Sequence, residues 1–136
     1  MYTVSLQPGD DAVSPLIKQL QYESDTWKRL LGFIGDENIY LKNRLAEVLS
    51  ESADDHLLYE AENFQNLFIR EDERVVYLRN ELAELDKLLA HDHAGNGQLK
   101  LIEGKLNRIR HNIKNVETNF GRLKSAFNNY MAGAIE

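Results

Sequence analysis

The chain has 136 residues, 43% of them hydrophobic, with no cysteine and a formal net charge of −6. That size supports one domain with its own core, and the missing cysteine excludes disulfides, thiolate chemistry and cysteine-ligated metal centres. The negative charge argues against nucleic acid or an anionic membrane surface as the main partner.

Residues 1–13 read as an extended arm. Tyr2, Val4 and Leu6 alternate with polar residues at the period of a strand, and Pro8-Gly9-Asp10-Asp11 breaks the run as a turn. Met1 to Asp10 lacks a basic stretch followed by an apolar one, so no secretory signal is expected. No apolar run approaches the ~18 residues of a bilayer span. With no cysteine, the chain suits the cytoplasm.

A single helical domain is expected over residues 14–136. Ser14 and Pro15 open the first helix as N-cap and first helical residue, giving a helix over about 15–50. Its apolar seam, in steps of three and four, is Ile17, Leu20, Ser24, Trp27, Leu31, Ile34, Asn38, Leu41, Leu45 and Val48. Gly32 and Gly35 fall within it, but the spacing keeps its phase across both, which favours one helix over two.

Residues 51–54 supply a connection and the next N-cap. The second helix, about 53–90, carries Leu57, Ala61, Phe64, Phe68, Glu71, Val75, Leu78, Leu82, Leu85 and Leu89. A glycine-rich stretch over 91–97 follows. The third helix, about 97–131, carries Leu99, Ile102, Leu106, Ile109, Ile113, Val116, Phe120, Leu123, Phe127 and Tyr130.

Of these 30 positions 27 are apolar, where composition alone would give 13 (43% of 30), so the pattern is not chance. Short connections make neighbouring helices antiparallel. The expected fold is all-α: an elongated up-down-up three-helix bundle about 50 Å long, with coiled-coil-like packing and scope to dimerise into a larger bundle. Residues 51–90 hold 11 acids and 4 bases, whereas 99–131 hold 7 bases and 2 acids. The bases of the third helix, Lys100, Lys105, Arg108, Arg110, Lys114, Arg122 and Lys124, are therefore expected to pair with the acidic second helix rather than with phosphates.

Three features depart from a plain seam. Asn38, Glu71 and, by folding the hairpins, Asn119 are expected to share one buried polar layer at mid-rod, fixing register at a cost in stability. The same layer is the candidate site for an ion or proton. Asp92, Asn96, Gly97 and Glu103 match a degenerate calcium loop over 92–103, with Ala94 where a third ligand belongs. His91 and His93 flank Asp92 there, and His56 with Glu60 is half a metal site at best.

Apolar residues also lie off the seam. Phe33, Ile39, Tyr40, Ile69, Val76 and Tyr77, with Ala83, point away from it and are expected to form one mid-rod patch. The sequence shows no phosphate loop, H-E-x-x-H pair or nucleophile motif. It reads as a non-enzymatic structural or interaction module without a cofactor, binding a protein partner or itself through that patch. The alternative is a metal- or small-ligand-binding bundle using Asn38 and Glu71, or the 92–103 segment.

Overall fold

A computed structural model describes residues 8–51, 54–90 and 96–135, with side-chain surroundings for 15–51, 54–90 and 98–133. Three helices account for nearly all of them: α1 (Pro8–Glu51), α2 (Asp55–Ala90) and α3 (Asn96–Ile135). They form a three-helix bundle, and among the described residues no helix is long and apolar enough to cross a membrane.

α1 runs unbroken through Gly32 and Gly35, as the unshifted phase of its seam implies. Its start corrects the expected arm. The helix begins at Pro8, so residues 8–13 are helical and Pro15 is an interior residue rather than the first. Pro8 and Pro15 can each occupy a first helical position, where a missing N–H costs nothing, and the upstream one prevails. The alternating segment from Tyr2 to Leu6 lies outside the described residues. α2 starts where a capping residue is supplied: the Asp54 carboxylate accepts from the His56 and Leu57 amides at 2.9 and 3.4 Å. α3 extends past the expected stop at Ala132-Gly133 to Ile135.

All thirty seam positions are buried or half-buried. Leu31, Phe68, Leu82 and Leu85 are fully enclosed, and Trp27, Val48, Leu57, Phe64, Leu99 and Leu123 close the edges. At one end of the rod four rings cluster. Phe127 meets Phe64 and Phe68 edge-on at 5.4 and 5.1 Å between centroids, and Tyr130 lies 5.1 Å from Phe64. The Tyr130 hydroxyl donates to the Leu57 carbonyl at 2.9 Å, which ties the end of α3 to the first turn of α2.

Polar bonds fix the relative directions. Ser24 donates to Asp86 and, two heptads on, Asn38 donates to Asp72, so α1 and α2 run antiparallel. Glu23 pairs with Arg110 and Glu37 with Lys124, each across 87 residues of sequence, so α1 and α3 run parallel. Lys105 with Glu81 and Tyr130 with Leu57 set α3 antiparallel to α2.

These pairs also correct the expected partner of the basic helix. Lys105 does pair with the acids of α2, at 2.8 Å from Glu81 and 2.7 Å from Glu84, which raises Lys105 and lowers Glu81 from their ordinary pKa values. Arg110 and Lys124 turn instead to Glu23 and Glu37 of α1. In a three-helix bundle α3 has two neighbours, and charge totals alone do not say which one each flank meets.

Candidate functional site

The middle of the rod is organised by a ladder of side chains between α1 and α2. In one rung Lys28 pairs with Asp86, which also accepts from Ser24 at 2.8 Å. Two heptads on, Lys42 pairs with Asp72, which accepts from Asn38 at 2.6 Å. Each aspartate thus serves one buried polar seam residue and one lysine a turn further along α1. The seam residue brings the carboxylate in, and the lysine neutralises it at the surface. Asn38 also donates to the Phe68 carbonyl at 2.9 Å, so it is held by two adjacent turns of α2.

The rung between these two breaks the pattern. Halfway from Lys28 to Lys42 stands Gly35, and halfway from Asp86 to Asp72 stands Arg79. The cation has moved to α2, and α1 offers no acid opposite it. The Arg79 guanidinium lies along α1 instead, its Nη2 3.8 Å from where a Cβ would stand on either Gly32 or Gly35. A groove lined by Lys28, Arg79, Ala83 and Asp86 runs beside it. Arg79 makes no ion pair among the described residues.

Glu71 and Asn38 are buried, as expected of a polar layer. One Glu71 oxygen accepts from Arg74 at 2.7 Å, but among the described residues Oε2 has no partner, and neither has Asn38 Oδ1. Burial holds the Glu71 carboxyl above its ordinary pKa against the lowering pull of Arg74. Asn119 does not join this layer. The core of α3 steps from Val116 to Phe120, which leaves Asn119 one position off the seam and exposed. The third polar member is Asp72, a flanking residue that seam-reading passes over. Its signal was in the sequence, in the seven-residue spacing of Asp72, Arg79 and Asp86 against Lys28, Gly35 and Lys42.

The off-seam apolar residues are all exposed. Phe33 is 60% exposed, Val76 57%, Tyr40 54%, Ile39 53% and Ile69 44%. The register sets Ile39 at the height of Ile69, and Val76 at the height of Gly32, across the α1–α2 groove. Phe33 and Tyr40 stand one turn either side of Glu37, which meets Lys124 of α3, and so lie on the α3 side of the α1 crest. The expected single patch is corrected in three members, these two and Tyr77. Tyr77 stands on the other side of α2, beside Glu81 and within the fields of Lys105 and Arg108 of α3, and so is separated from Val76 by the crest of its own helix.

The remaining candidates do not assemble. Residues 96–103 are helical, so Asn96 and Gly97 stand in the first turn of α3; Glu103 is exposed, and Asp92, with His91 and His93, lies outside the described residues. The His56 Nε2 is 3.4 Å from Glu60 in an exposed pair, and His111, also exposed, meets Asn115 at 3.2 Å. Among the described residues no three metal-ligating side chains converge.

Fold and surface together define an all-α three-helix bundle with a ladder of polar rungs and an apolar outer face at mid-rod. Comparison with family models, with curated proteins and with solved structures gives no match.

Proposed function

We propose that this protein is a non-enzymatic structural or interaction module, a helical rod that docks a protein surface, its own copy or another chain, through the apolar side chains exposed at mid-rod: Ile39, Ile69 and Val76 over the α1–α2 groove, and Phe33 and Tyr40 beyond the crest of α1. The observation that carries the reading is the exposure of these five large side chains beside a seam that already fills the core. Large apolar side chains left exposed at mid-rod beside a complete core mark an interaction site. Its acidic, cysteine-free composition suits work in the cytoplasm.

A photo-crosslinking amino acid at position 76, introduced in cells that express the chain, tests this reading. Adducts at 76 that are absent with the same label at His111, which is exposed on α3, support it. A position 76 that yields no adduct contradicts it.

A second reading rests on the two unpartnered buried oxygens of Glu71 and Asn38. In this reading the layer holds a proton or small ion as its working part.

A further inference from the structure

Two oxygens of the polar layer are acceptors without a donor. Asn38 places both amide hydrogens on α2, one on the Phe68 carbonyl and one on the Asp72 carboxylate. Turning the amide over would set its oxygen against those two acceptors, so the orientation is fixed and Oδ1 points away from both. There it is buried with no hydrogen-bond partner among the described residues. Glu71 stands between Phe68 and Asp72 on the same stretch of α2 and is 2% exposed. Its Oε2 is buried and unpartnered in the same way.

The charged groups around the layer do not supply the missing donor. On α1, Lys42 is engaged by Asp72. On α2, Arg74 binds the other Glu71 oxygen at 2.7 Å. On α3, Phe127 packs on Phe68, so the seam residues before it, Leu123 and Phe120, stand at the height of Glu71 and offer only hydrocarbon. Lys124 beside them donates to Glu37 at 2.9 Å. One proton on Glu71 would satisfy both orphans, because it makes Oε2 a donor and leaves Oε1 to accept from Arg74.

We infer, resting on the second reading above, that the layer holds a proton: Glu71 is a neutral carboxylic acid whose Oε2–H donates to Asn38 Oδ1, a titratable bond between α2 and α1. Burial, the largest influence on this carboxyl, favours the neutral form against the pull of Arg74, and the Asp72 charge beside it acts with burial. Loss of the proton breaks the bond and sets a buried charge against the Asn38 oxygen. The α1–α2 contact at mid-rod therefore loosens as pH rises through the Glu71 titration.

Carbon and nitrogen NMR of the isotope-labelled full chain across pH tests this bond. The Glu71 carboxyl carbon is expected to keep its acid-form shift through the ordinary glutamate range and to titrate above it. The Asn38 side-chain amide signals are expected to move with the same midpoint. In Glu71→Gln, whose amide is a permanent donor, that movement is lost. Asn38 signals that do not follow Glu71, or a movement at that midpoint that persists in Glu71→Gln, overturn the inference. If Glu71 titrates above the ordinary range while Asn38 stays still, the shared bond fails and the reading of the layer as a proton site stands. If Glu71 ionises within the ordinary range, no proton is held there and both fail.

Discussion

Asn38 donates to Asp72 across the α1–α2 interface at 2.6 Å, and its own Oδ1 is left buried without a donor. Its amide nitrogen makes two bonds, to Asp72 and to the Phe68 carbonyl, while its oxygen makes none among the described residues, the signature of a residue that selects an arrangement more than it stabilises one. Glu71 repeats the compromise one position earlier on α2, with Oε1 on Arg74 and Oε2 unpaired.

Glu71→Leu follows from that compromise. Replacing a buried, half-satisfied carboxylate with an apolar side chain of similar size is expected to gain about 1–4 kcal/mol. For a chain of this length that is several degrees in melting temperature. The register is then less strictly specified, so amide chemical-shift dispersion narrows. A variant that melts lower and keeps its dispersion contradicts the register role.

The pH dependence of Glu71 has a definite sign. Its folded pKa is raised by burial above the ordinary 4.5, so the folded form holds the proton more tightly than the unfolded chain. Its favourable contribution is complete below the ordinary value and is lost as pH rises through the raised one. Glu81, lowered by its bond to Lys105, acts oppositely and loses its contribution as pH falls. The difference between Glu71→Gln and wild type isolates the first effect. Thermal melts should show a gap in favour of Glu71→Gln that widens from acidic to neutral pH, whereas a gap constant with pH contradicts the assignment.

The aromatic end of the rod gives the largest single cost. Phe127 is 1% exposed and touches the rings of both Phe64 and Phe68. Phe127→Ala removes these contacts and leaves a cavity, an expected loss of about 3–5 kcal/mol by urea unfolding. A loss below about 1 kcal/mol would place that ring outside the core.

Glycine inside an exposed helical stretch costs about 1 kcal/mol relative to alanine. At Gly35 a Cβ would meet only the end of Arg79, at 3.8 Å, an ordinary contact. Gly35→Ala is therefore expected to stabilise the isolated rod by roughly 0.5–1 kcal/mol in chemical denaturation. Destabilisation would mean that the Arg79 side chain cannot give way to the added methyl group.

Much of this fold is legible in the residues, because a three-and-four apolar spacing maintained over 30 positions leaves few ways to close. The Asn38–Glu71 layer is legible for the same reason, since a polar residue stands out against a strict seam. Asn119 shows the limit. Folding arithmetic gives height along the rod but not rotation about each helix, and a residue one place off the seam faces water. The ion pairs of Arg110 and Lys124 show another, since only the closed bundle decides which neighbour a flank meets. The start of α1 was obscured by two prolines with equal local claims. Arg79 went unnoticed because its oddity lies in the residue it lacks across the groove.

Everything proposed for the mid-rod face depends on one register, in which α1 and α3 run parallel and repeat their contacts every two heptads. The absence of cysteine allows clean spin labelling in a spin-diluted sample. Labels at the exposed pairs Tyr22 with His111 and Asn43 with Ala132 measure that register directly. The account predicts the same short distance for both pairs, within the width of a bundle. Tyr22 with Ala132 should be far longer, because those labels are also about 30 Å apart along the axis. Unequal distances for the first two pairs, or a Tyr22–Ala132 distance as short as either, would contradict it.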